Sequence, residues 1–101
     1  MNKEIVICTP VRSAIGAFSG TLKDVPAAAL GAHVIGATLR RSGIDPALVD
    51  AVVMGNVIQA GSGMNIARQA AINGGLPVEV PAMTVNRVCG SGVQAVATAF
   101  A

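Results

Sequence analysis

Ala82-Met83-Thr84-Val85-Asn86-Arg87-Val88-Cys89-Gly90-Ser91-Gly92-Val93-Gln94-Ala95-Val96 changes its backbone period midway, and that change decides the fold class. Ala82 to Val88 predicts a buried strand, whereas Val93, Val96 and Phe100 recur at i, i+3 and i+7 as one face of a helix. Gly90 and Gly92 stand at the junction, where small residues let the backbone turn sharply. Working outward, Ala51-Val52-Val53-Met54 and Ile5-Val6-Ile7-Cys8 are short apolar runs that predict two more buried strands, the latter ended by Thr9-Pro10. Between these runs the pattern is helical. Pro26 to Ser42 carries Leu30, Val34 and Leu39, with Arg40 and Arg41 in its last turn and Gly43 as the stop. Asp45-Pro46 reads as a cap and first residue of one short turn. Met64 to Asn73 has helical spacing closed by Gly74-Gly75, and Pro77 and Pro81 bracket a turn. Strand, helix, strand, helix, strand, helix predicts an α/β fold with right-handed crossovers over a mostly parallel sheet. The third helical pattern runs to Ala101 without a capping glycine or basic last turn, so residues 1–101 are expected to be an incomplete domain that stops inside that helix.

Composition points the same way. Hydrophobic residues make up 52% of the chain and charged residues 12%, about half the ~25% usual in soluble domains. So little charge predicts segments covered on both sides by other protein, with the first helix lying between two layers. A spanning helix is excluded, because the longest weakly polar stretch, Ala27 to Leu39, contains His33 and falls short of the ~20 residues required. The amino-terminal apolar run is too short for the core of a secretory signal. A net charge of +2 and two aromatic residues, both Phe, supply neither a basic stripe nor a stacking platform, so no nucleic-acid partner is expected. Two distant cysteines in a chain without an export signal predict a reducing, cytoplasmic setting.

Cys89 is the residue placed to do chemistry. At the mouth of a helix, the first amide N–H groups lack internal partners and can stabilise a thiolate or a developing oxyanion. A thiol suits a thioester substrate, because sulfur-to-sulfur acyl exchange is nearly isoenergetic and a few per cent of an ordinary thiol is ionised at neutral pH. Half-ionising such a thiol at pH 7 takes about 2 kcal/mol, whereas an exposed helix terminus gives ~0.3–1 kcal/mol. A base or cationic partner is therefore required. The single histidine, His33, falls in the middle of the first helix and reads as a packed or surface residue, so the base is expected outside these residues. Cys8 ends an apolar strand without flanking glycines and reads as core. Gly61-Ser62-Gly63-Met64-Asn65-Ile66-Ala67 faintly resembles a phosphate-cradling loop, but its third glycine is displaced and a structural loop is the stronger reading.

Together these motifs resemble the thiolases, the acetyl-CoA acetyltransferase group. The likeness rests on Asn86-Arg87-Val88-Cys89-Gly90-Ser91-Gly92, on Thr9-Pro10-Val11-Arg12-Ser13-Ala14-Ile15-Gly16-Ala17-Phe18 and on Asn65-Ile66-Ala67-Arg68-Gln69-Ala70. It implies that Cys89 takes an acyl group from an acyl-CoA, and that a second acyl-CoA, deprotonated at its α-carbon, attacks the acyl-enzyme to give a β-ketoacyl-CoA. In reverse, CoA cleaves the β-ketoacyl chain, as in fatty acid metabolism. The resemblance further implies CoA thioesters as substrates, no bound cofactor, no metal and no membrane partner, in a homodimer or homotetramer. The histidine base, second cysteine, asparagine-held water and CoA-binding loops belong to later parts of such enzymes, so the residues here are expected to be inactive alone. The implied fold is a layered α-β-α-β-α pair of similar halves, of which this chain is most of the first. A loop before the second helix is expected to reach a neighbouring subunit's site, where Met64 stands in place of glutamine. Two alternatives stay open: a non-catalytic α/β binding or assembly module with a packed Cys89, and a related β-ketoacyl condensing enzyme.

Overall fold

The computed structural model describes residues 3–101. Its elements are α1 (Ala27–Ser42), a single 3-10 turn (Pro46–Leu48), β1 (Val52–Gly55), α2 (Ile66–Asn73), β2 (Ala82–Val85) and α3 (Ser91–Phe100). β1 and β2 pair in parallel, with Val52 opposite Ala82, Val53 opposite Met83, Met54 opposite Thr84 and Gly55 opposite Val85. The α/β class with a parallel sheet is present, and the sheet has two strands among the described residues.

Because successive side chains of a strand point to opposite faces, this register fixes the layers. A Cβ placed on Gly31 of α1 would lie 3.0 Å from Met54 Cε and 3.0 Å from Ala70 Cβ of α2. Thr84, the register partner of Met54, accepts a hydrogen bond from the Ala67 N–H of α2. Met54 and Thr84 thus face α1 and α2. Gly55 faces the other way, and a Cβ there would meet the backbone of Ser91 and Gly92. The sheet is therefore sandwiched, with α1 and α2 on one face and α3 on the other.

Local chemistry sets the helix ends as the sequence suggests. Gly43 adopts a φ of 68° and returns its N–H to Leu39 O, a left-handed C-cap that any residue with a Cβ would strain. Asp45 accepts from the Ala47 N–H at 3.0 Å and caps the 3-10 turn. α1 and α2 meet through small residues: besides Gly31 against Ala70, a Cβ on Gly74 would come 2.8 Å from Ile35 Cγ2. The core beneath them is Ala71, Leu76 and Val80, with Ile35, Leu39, Val49 and Val52 packed against it.

Four expectations are corrected. Ile5–Cys8 does not form a strand: it pairs with no neighbour, leaving Val6 68% and Ile7 83% exposed. Cys8, expected in the core, is exposed for the same reason. An apolar run becomes a buried strand only when a ladder partner takes up its backbone groups, and among the described residues β1 pairs with β2 alone. The third strand ends at Val85 rather than Val88, because Val88 enters the left-handed region with a φ of 49°. α1 is covered by α2 and the sheet on one side only, and Gly31 is its single buried residue.

The accessible surface is 7360 Å², against ~5,200 Å² for a compact monomer of 10.0 kDa. Much of the excess is apolar, including Phe18, Ile15, Ile7, Val93 and Phe100. No helix among the described residues is long and apolar enough to cross a membrane.

Candidate active site

Cys89 sits in the turn between β2 and α3, directly before the N-cap residue Gly90, and it is exposed. This is the strand-to-helix junction expected from the glycine spacing. The turn is built residue by residue. Asn86 Oδ1 accepts from the Val88 N–H at 2.9 Å, and Asn86 Nδ2 donates to Val57 O at 3.2 Å, tying the turn to the loop after β1. Val88 then reverses the chain with its positive φ, a conformation that costs a β-branched residue about 1–3 kcal/mol and must be imposed by its surroundings. Ser91 supplies part of that imposition: its Oγ accepts from the Arg87 N–H at 2.8 Å and donates to Val88 O at 2.6 Å. Arg87 in turn donates through Nη1 to Gln94 Oε1 on the next turn of α3.

The amides at the helix mouth are only partly open. Gly90 N–H bonds Arg87 O at 3.0 Å and Ser91 N–H bonds Val88 O at 3.1 Å, so these two are spent on the turn itself. Cys89, Gly92 and Val93 N–H have no carbonyl partner among the described residues, and these are the donors left for an anion or a carbonyl oxygen. Gly92 meets nothing within 4 Å where a Cβ would stand, which leaves the approach to the turn clear. Gly55 is what lets α3 come so near: a Cβ there would lie 2.5 Å from Ser91 C, 2.6 Å from Ser91 O and 2.8 Å from Gly92 N.

The other sequence candidates fall elsewhere. His33 is exposed on α1, across the sheet from α3, so it does not serve as the base for Cys89. The Gly61–Ala67 loop is structural. Gly61 and Gly63 take φ values of 76° and 78°, and Gln69 Nε2 ties Ser62 O at 2.7 Å and Met64 O at 3.0 Å. The second and third amides of α2 are already occupied, Ala67 N–H by Thr84 Oγ1 and Arg68 N–H by Asn65, so the loop's own contacts take up the donors a phosphate cradle would need together. Met64 is 91% exposed on that loop. Among the described residues no group of three or more His, Cys, Asp or Glu is gathered to hold a metal. Sequence reasoning missed Ser91 and Asn86 as the side chains that shape the turn. Their signal was available, since a hydroxyl and an amide flanking a tight turn commonly bond its backbone.

Comparison with known proteins agrees with this geometry. The family model described as the thiolase N-terminal domain matches residues 5–101. An acetyl-CoA acetyltransferase of Cupriavidus necator is 56% identical over 93 residues, covering 92% of this chain and 24% of that protein. An acetyl-CoA acetyltransferase of Syntrophomonas wolfei is 50% identical over 99 residues, covering 98% of this chain and 25% of its own length. A probable acetyl-CoA acyltransferase of Staphylococcus aureus is 49% identical over 96 residues, 95% of this chain and 24% of that one. The chain thus spans about a quarter of the curated relatives it matches. With the match running through the Cys89 turn and both flanking elements, the chain belongs to the thiolase family, as its N-terminal domain.

Proposed function

We propose that the protein carrying this chain is an acyl-CoA acyltransferase that works through an acyl-Cys89 intermediate. The observation that carries the reading is the exposed Cys89 thiol at the β2–α3 junction, within the segment matched as a thiolase N-terminal domain. In the first half-reaction the Cys89 proton passes to a base, Sγ attacks the thioester carbonyl, and the bond from that carbon to the CoA sulfur breaks as CoA leaves with a proton. The unpartnered Cys89, Gly92 and Val93 N–H groups are the donors this chain offers to the oxyanion as it forms. In the second half-reaction the α-carbanion of another acyl-CoA displaces the Cys89 thiolate to give a β-ketoacyl-CoA, and the reverse is cleavage by CoA. CoA thioesters are the substrates, with no resident metal or cofactor, in a cytoplasmic homo-oligomer.

His33 lies across the sheet from the thiol, so a base from outside these residues completes the site, and residues 1–101 alone are inactive. The test is incubation of the full-length protein with acetyl-CoA followed by intact mass measurement. The wild type is expected to gain one acetyl group on Cys89, and Cys89→Ser to lose β-ketoacyl formation by at least about 10³-fold. Retention of activity by Cys89→Ser, or sustained turnover by residues 1–101 on their own, would falsify this reading.

A further inference from the structure

Resting on the acyl-transfer reading of Cys89, we infer that Ser91 is a positioning residue whose buried hydroxyl holds the turn that presents the thiol. Ser91 is the one buried polar side chain among the described residues, 4% exposed, in a chain whose other buried side chains are apolar. A buried hydroxyl is costly unless it is bonded, and this one bonds the reactive turn twice. It takes the Arg87 N–H on one side of Val88 and gives its proton to the Val88 carbonyl on the other. The Val88 N–H is meanwhile held by Asn86. Both peptide groups of Val88 are thereby fixed, and with them the left-handed φ that aims the next residue, Cys89.

Ser91 is itself anchored. Its backbone carbonyl lies against Gly55, so the hydroxyl carries the position of the sheet to the turn. Removing the hydroxyl leaves the helix intact, because alanine is a better helix former than serine. It frees the Arg87 N–H and leaves the Val88 carbonyl with the Ser91 N–H as its one partner, so the strained Val88 φ is less firmly held and the next residue, Cys89, loses its fixed aim. A role in packing alone would show itself as less folded protein. A positioning role shows itself as a slower reaction in fully folded protein.

The experiment is rapid-quench acylation of the full-length protein by acetyl-CoA, read by intact mass as an amplitude per site and a rate constant. Ser91→Ala is expected to keep the amplitude and the acetyl-CoA concentration dependence while slowing acylation about 10- to 100-fold, the scale of a small misplacement of a reacting group. The double variant Val88→Gly/Ser91→Ala is expected to recover about tenfold, because glycine holds a positive φ without help. Ser91→Thr, which keeps the hydroxyl, is expected to stay within about threefold of wild type if its methyl is accommodated. The double variant serves where Ser91→Thr does not fold. An unchanged rate in Ser91→Ala, a loss confined to amplitude, or no recovery on adding Val88→Gly overturns the inference while leaving Cys89 in place. Acylation surviving in Cys89→Ser overturns the acyl-transfer reading itself.

Discussion

At the scale of single residues, the site depends as much on absent side chains as on present ones. Gly55 and Gly92 make opposite predictions. Gly55→Ala places a methyl against backbone atoms of α3 that have no rotamer in which to yield, so it should cost about 3 kcal/mol and slow Cys89 acylation, read as a lower urea midpoint and a lower rate. Gly92→Ala meets open space at an ordinary φ and should stabilise by about 0.5–1 kcal/mol, read as a higher urea midpoint. Cys89 was legible in the sequence because its glycine neighbours announce a tight strand-to-helix turn. The conformation of Val88 was not, since a β-branched residue is among the least expected at positive φ and only the bonds from Asn86 and Ser91 impose it.

Among the elements, α2 is positioned by side chains that reach across to the neighbouring strand and turn. Asn65 Oδ1 accepts from Thr84 Oγ1 at 2.8 Å and Asn65 Nδ2 donates to Ala82 O at 3.0 Å, stitching the start of the helix to β2. Arg68 Nη1 donates to Val78 O and Val80 O at 3.0 and 3.1 Å, pinning the chain between the two prolines beneath the same helix. Thr84→Val keeps shape and removes the acceptor of the Ala67 N–H, a residue with 0% exposure. It is expected to destabilise by about 1–3 kcal/mol, read from the urea midpoint. The sequence placed this helix within two residues of its observed start. Asn65, a favoured capping residue, was the signal for the true boundary at Ile66. Ile5–Cys8 was misread for a different reason: hydrophobic periodicity reports what a segment is able to bury, and pairing depends on which backbone lies beside it.

For the molecule as a whole, surface area is the governing quantity. Charged residues at 12% foretold a chain that cannot cover itself, and the structure leaves Ile5, Ile7, Val93, Val96 and Phe100 open on neighbouring segments. Residues 1–101 produced alone should therefore self-associate at micromolar concentration, seen as species larger than 10.0 kDa in sedimentation velocity and enhanced by salts excluded from protein surface. A single monomeric boundary would contradict this. The fold class and the location of the thiol were thus readable from pattern alone, whereas the extent of uncovered surface needed coordinates. One further consequence follows from the seat of α3 on Gly55. Three atoms of its first turn occupy the space a methyl would fill, so helix and strand are geared together rather than merely adjacent. Breathing motions that shear the sheet must drag the sulfur with them, and mechanical stiffness at the nucleophile is inherited from the strand.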